Sequence, residues 1–290
     1  MISLRRRALA AALTALPCLL AGPASGQAPA WPSKPVRIVV PYAAGGAADT
    51  VARAIGQRLS EQIGQPVVID NRGGGGAVIG TEVVAKAAPD GLTVLLAVGP
   101  PHNTFPLFAR PMPFDSVRDF TPVAILATLP QVIAVNSSMP VKTVRELIDY
   151  ARSHPGKLSY GTTGVGSSQH LGGEMLNAKA GIDMVHVAYK GGAPLLTDLL
   201  GGQVPVGVMV LSNVLPHVKT GKVHALAVIE NHRADASPET PTVAEAGLAG
   251  FAVPDTWIGV LGPAGMPAAI TSRLQSELAA ATVVPEVRSK

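Results

Sequence analysis

The chain has 290 residues, 14% of them charged, with 23 Lys and Arg against 19 Asp and Glu. Setting Arg5, Arg6 and Arg7 aside takes the formal charge from +4 to +1, and no basic stripe with interleaved aromatics follows, which argues against a nucleic-acid partner. The single cysteine, Cys18, falls in the leader described next, so disulfides, thiol catalysis and cysteine–metal sites are excluded from the rest.

Met1 to Arg7 is basic, Ala8 to Ala21 is apolar but too short to span a bilayer, and Ala24-Ser25-Gly26 supplies small residues. This is the pattern of a signal peptide over residues 1–26, cut after Gly26 or a few residues later, and it predicts a periplasmic protein. Leu9 after the arginines leaves both the general and the twin-arginine routes open. A lipid anchor at Cys18 is opposed by Pro17 and the short apolar run. No later stretch is long and apolar enough to cross a membrane, and roughly 260 remaining residues favour two domains.

From Val36 a short β-branched run, a glycine-rich turn and an amphipathic helix recur. Val36 to Val40 is a strand; Asp49 is expected to cap a helix with Val51, Ile55, Leu59 and Ile63 on one face, ended by Gly64. Val67 to Ile69 and Leu92 to Val98 are strands around a helix carrying Ile79, Val83 and Val84. Thr143 and Glu146 have capping-box spacing before Val144, Leu147, Ile148 and Ala151. Strands are then predicted over Leu158–Tyr160, Met184–Val187, Val206–Val210 and Ala225–Val228, with helices starting near Ser168, Pro194 and Ser212. The alternation predicts an α/β protein with parallel sheets.

Three turns lie at carboxyl ends of strands, where open α/β sheets bind ligands: Tyr42-Ala43-Ala44-Gly45-Gly46, Gly161 to Ser168, and Tyr189-Lys190-Gly191-Gly192-Ala193. Each opens a helix whose first N–H groups lack partners within the helix and attract an anion. Glycines let a carboxylate approach the main chain, and Thr162, Thr163, Ser167 and Ser168 add hydroxyls around Gly164 and Gly166. For any one turn the plainer reading is a tight bend; three at equivalent positions point to a carboxylate site. Gly73 to Gly76 reads mainly as a flexible turn. His170 either bonds within its helical turn or donates to a ligand. Lys190 is a counter-charge or simply solvated, and Tyr42 and Tyr189 wall the cleft or pack beside it.

Enzyme signatures fail in turn. Gly-Lys-Ser/Thr is absent, the glycine spacings miss the dinucleotide fingerprint, and Ser167 lacks the glycine two residues on that a nucleophile elbow needs. The histidines have no zinc spacing, so neither metal nor cofactor is expected. The alternative is a hydrolase or transferase acting on a carboxylate ester through Ser167 or Ser168 with His170.

An ordered set of stretches then resembles the periplasmic receptors of tripartite tricarboxylate transporters, the Bug receptors. It runs from Trp31-Pro32-Ser33-Lys34-Pro35 and Pro41 to Asp49, through Asp70-Asn71-Arg72, Ala88-Pro89-Asp90-Gly91 and Asp119-Phe120-Thr121-Pro122. It continues with Gly164 to Leu171, His186 to Gly192, Asp198 to Gln203, Pro241 to Gly247 and Pro263 to Pro267. The resemblance implies a two-lobed type II periplasmic binding protein fold with a ligand cleft between lobes. Domain 1 is then 27–128 plus 250–290 and domain 2 is 129–249, with crossings near Leu129–Val135 and before Trp257. It also implies ligand contacts from Tyr42 to Gly46, Thr162 to His170 and Tyr189 to Ala193, with Asp49 beside them. The implied role is a monomeric, non-enzymatic receptor passing a small organic carboxylate to membrane permease subunits or a sensor kinase. Two departures stand out. Met209 occupies the place of a common acidic residue, which disfavours amino acids against di- or tricarboxylates and aromatic acids. Family members also usually continue past Pro285 to Arg288 with a further strand and helix, which leads us to expect a shortened outer layer of domain 1.

Overall fold

The computed structural model describes residues 31–99 and 111–283. The leader, Cys18 and the last residues from 284 lie outside that range. The chain divides into two compact units, Met1–Ser33 and Lys34–Lys290; the fold below is that of the second.

Among the described residues, ten strands form two sheets of five. The first contains β1 (Val36–Val40), β2 (Val67–Asn71), β3 (Thr93–Val98), β4 (Phe120–Thr128) and β10 (Trp257–Pro263), in the order β2-β1-β3-β10-β4. The second contains β5 (Gln131–Asn136), β6 (Ser159–Thr162), β7 (Val185–Ala188), β8 (Val206–Val210) and β9 (Val223–Val228), in the order β7-β6-β8-β5-β9. The fold is therefore α/β with two lobes. The expected parallel pairing holds for β1 with β2 and β3 and for β6 with β7 and β8. It fails at β10 and β5, each antiparallel to both neighbours. These are the strands that the chain lays down just after passing from the other lobe.

Apolar composition explains which strands lie deepest: VIA in the middle of β5 and VGVMV in β8 are buried throughout, as is the VLLA stretch of β3. Helices α1 (Ala47–Ile63), α2 (Val78–Ala85), α3 (Val144–Ser153), α4 (Ser168–Ala180), α5 (Gly192–Leu200), α6 (Leu211–Lys219) and α7 (Ala268–Thr282) pack around them. Val51, Ile55 and Leu59 bury one face of α1, and Gly64 ends it in the left-handed conformation that costs glycine nothing. Thr143 caps α3 by accepting the Glu146 N–H at 3.1 Å. The reciprocal bond goes one residue further back than a capping box predicts, from the Lys142 N–H to the Glu146 carboxylate. Pro194 sits in the first turn of α5, where its missing N–H costs no bond.

Only Leu129 and Pro130 separate β4 from β5, while the return from β9 to β10 is long. The two crossings are bonded to each other: Leu129 N–H donates to Thr256 C=O at 2.6 Å, and Ile229 N–H to Gln131 C=O at 3.0 Å. Among the described residues no helix is long and apolar enough to cross a membrane.

Candidate functional site

A cleft of about 460 Å³, counting its open mouth, lies where the two sheets meet. The first lobe contributes Tyr42, Gly46, Ala47, Ala48 and Val98; the second contributes Thr163, Ser167, Ser168, Gln169, Gly192, Val210 and Asn213; Leu129 and Gln131 come from the crossing. None of these described residues carries a charge.

Two helices begin here without side-chain caps. Gly46 precedes α1 and Gly191 precedes α5, and neither can supply a side-chain acceptor to the first N–H groups. They approach from opposite lobes: a Cβ placed on Gly46 would lie 3.6 Å from the Gly192 nitrogen and 3.8 Å from that of Ala193. Two positive dipole ends this close to one another repel unless something negative stands between them. The third expected turn differs. Ser167 caps α4 itself, accepting the His170 N–H at 3.1 Å and donating to Gly164 C=O at 2.8 Å.

The lobes also touch directly along glycines. Ala43 N–H donates to Lys190 C=O at 2.9 Å. A Cβ on Gly73 would stand 2.9 Å from that same carbonyl, one on Gly191 2.9 Å from the Ala43 nitrogen, and one on Gly164 2.9 Å from Gly76 Cα. Real Cβ atoms do not come so close, so the glycines that the sequence suggested for ligand approach also serve contact between lobes. The Gly73 to Gly76 segment, read as a flexible turn, is half of this seam.

Comparison with known proteins decides what such a cleft belongs to. Residues 51–290 match the family model described as tripartite tricarboxylate transporter family receptor. The chain belongs to this receptor family. It is 41% identical over 260 residues to a UPF0065 protein from the tcbD-tcbE intergenic region of Pseudomonas sp. (strain P51), covering 89% of this chain and 76% of that one. MatC from Rhodopseudomonas palustris, solved with bound malate, superposes with a TM-score of 0.85 at 33% identity, over 89% of this receptor and 88% of MatC. An R. palustris protein solved with adipate gives a TM-score of 0.82 at 39% identity, over 86% and 83% of the two chains.

Several other expected site residues also make contacts within the receptor. Asp49 does not cap α1, because the helix starts two residues earlier, at Ala47. Its carboxylate is 4% exposed, accepts the Gly45 N–H at 2.9 Å and pairs with Arg53 at 2.9 Å. Burial pushes its pKa up, but the bonds to Arg53, Gly45 and Asn71 together hold it below the usual value. Met209, expected at the ligand, is fully buried in the second lobe's core with Leu195 and Leu199; the next residue along β8, Val210, lines the cleft instead. Successive side chains of a strand point to opposite faces, which turns Met209 toward the core and Val210 toward the cleft. Tyr42 is buried at the cleft wall, and burial pushes its hydroxyl pKa up. Tyr189 donates to Asp198 at 2.8 Å; burial and that carboxylate push its pKa up to about 12. Ala44, Gly45 and Lys190 are exposed, and Ala193 lies against Gly45.

Behind the Thr162 turn, Thr162 shares a 2.6 Å hydrogen bond with His186 Nε2, and the His186 and His170 rings lie 4.1 Å apart. Burial and the neighbouring imidazole push His186 down to about 4; burial also lowers His170, against the opposing pull of Glu174. Both rings are thus neutral near pH 7. Gly166 N–H points to His170 Nδ1 at 3.4 Å, so His170 is tied into its own turn.

Gln131, Thr256 and Asn213 lie outside the stretches expected from the sequence to contact ligand, and Gln169 falls within the Thr162 to His170 stretch without having been singled out. Gln169 and Gln131 join Thr163 to the crossing in one run of hydrogen bonds. Thr256 Oγ1 donates to Ser168 Oγ at 2.9 Å. Only the Gly-Ser-Ser-Gln run around Ser167 gave any signal, and nothing in it revealed the distant partners.

Proposed function

We propose that this receptor captures a small organic carboxylate in its interlobe cleft, closes on it without covalent chemistry, and presents it in the periplasm to a membrane permease or sensor. The observation that carries this is the pair of uncapped helix starts, α1 and α5, facing one another across an uncharged cleft. A carboxylate placed there satisfies both and removes their mutual repulsion. The absence of charge from the described lining favours di- and tricarboxylates or aromatic acids over amino acids, whose ammonium group would be desolvated without a partner. The two relatives solved with malate and adipate support the same class.

The two sheets, with crossings at Leu129–Pro130 and ahead of Trp257, serve as the lobes that open and close. Receptor rather than hydrolase is favoured because Ser167 spends its hydroxyl on the main chain, Ser168 pairs with Thr256 rather than with a base, and His170 Nδ1 accepts from its own turn. Thermal unfolding against di-, tri- and aromatic carboxylates and acidic amino acids tests the reading. Ligand at a hundred times its Kd adds about 2.7 kcal/mol, a rise of several degrees for a chain of this size. No shift with any carboxylate, in a chain that melts cooperatively, rejects it.

A further inference from the structure

The hydrogen-bond polarity of the cleft wall is fixed from outside the cleft. A backbone carbonyl can only accept, so Gln131 must turn its amide nitrogen toward Leu129 C=O, 2.6 Å away. That leaves Gln131 Oε1 facing Gln169, whose Nε2 donates to it at 2.6 Å. Gln169 Oε1 is then the atom facing Thr163, and the Thr163 hydroxyl donates to it at 2.7 Å. Neither amide can flip without setting oxygen against oxygen, since Gln131 is fully buried and Gln169 is 5% exposed. Thr163 has therefore spent its only proton inside the protein. Toward the cleft it offers lone pairs alone.

Ser168, on the same turn, is the opposite case. Its oxygen accepts from Thr256 Oγ1, which leaves its own proton to donate into the cleft. One wall thus pairs a donor that suits a carboxylate oxygen with an acceptor that repels one. From this we infer that the ligand is a hydroxycarboxylate, its carboxylate oxygen at Ser168 and its hydroxyl donating to Thr163, with Gln169 and Gln131 as positioning residues. An ammonium would also donate to Thr163, but no described lining residue offers it a counter-charge. This rests on the carboxylate reading above and narrows it.

The test compares acids that differ in one substituent: malate against succinate and aspartate, citrate against tricarballylate, and mandelate against phenylacetate, each titrated calorimetrically into the full chain. The hydroxylated member is expected to bind about tenfold tighter or more in the pair that fits the cleft. Thr163→Val brings that ratio toward one, Thr163→Ser keeps it, and Gln169→Leu, which frees the Thr163 proton, also lowers it. A purely packing role for Gln169 would weaken both members alike. Equal binding within every pair, or a ratio untouched by Thr163→Val, overturns the inference while leaving the carboxylate receptor standing. No binding of any acid overturns both.

Discussion

The two lobes build matching sheets but offer the cleft different materials. The first lobe presents main chain: Gly46, Ala47 and Ala48 open α1 with no side-chain cap, and the Gly73 to Gly76 segment meets the other lobe without side chains. The second adds to the uncapped start of α5 a set of side chains whose bonds are already assigned, through Ser167, Ser168, Thr163 and Gln169. Main-chain N–H groups donate to any anion that fits, whereas hydroxyls with spent protons discriminate among anions. Affinity for negative charge is thus shared across the cleft, while the choice among ligands is concentrated in the second lobe.

The largest effect should come from altering the first lobe's main-chain wall. Gly46 has an extended conformation that any residue adopts, so Gly46→Val leaves the lobe folded and fills the space before Gly192. Ligand affinity is expected to fall at least about a hundredfold, with the ligand-free melting temperature nearly unchanged, as calorimetry and thermal unfolding will show.

Next is the crossing that separates the two walls. Glu230 is 2% exposed and accepts the Gln131 N–H at 3.0 and 3.1 Å; burial pushes its pKa up to about 8. A carboxyl that holds its proton in the folded state but not in the unfolded one weakens the fold as pH rises. The loss starts near the ordinary value of 4.5 and levels off above about 8. Glu230→Gln should therefore be more stable than the parent at pH 9, by a few kcal/mol, with the advantage vanishing toward pH 4. Denaturant melts across pH measure it.

Asp49→Asn comes third. It removes the charge that holds Arg53 and the Gly45 N–H, and should cost about 1–2 kcal/mol, a few degrees in Tm, with weakened closure because Gly45 borders Gly46. Smallest is Ser167→Ala, which deletes the cap of α4 for about 1 kcal/mol and should change ligand affinity only a few-fold. Loss of all binding with Ser167→Ala would remove the distinction drawn between Ser167 and Ser168.

Most of this architecture was legible because periodicity is local. Val36–Val40, Val206–Val210 and the helix starts near Ser168 and Pro194 follow from β-branched runs, glycine turns and cap residues within a few positions. The three turns were also visible, since each is a single short segment. β5 was read only as part of a crossing, although its buried VIA core gives it a place in the second sheet. The facing of β8, with Met209 in the core and Val210 at the cleft, is not given by any local pattern, because both residues are apolar. The amide run from Thr163 to Leu129 was invisible for a different reason: Gln131 and Gln169 are 38 positions apart, and Ser168 and Thr256 are 88 apart. Their meeting is a property of the topology, and a lone glutamine in sequence says nothing about its partner.

The position of β10 has a consequence for how the chain acquires its shape. Every strand of the second sheet comes from one continuous stretch, Gln131 to Val228, so that lobe can be completed as it emerges. The first sheet cannot, because β10 stands between β3 and β4 and bonds to both. Until Trp257–Pro263 arrives, the strands already made form two fragments with exposed inner edges. Assembly therefore finishes in the lobe that begins first, and the last strand to be threaded joins its two halves.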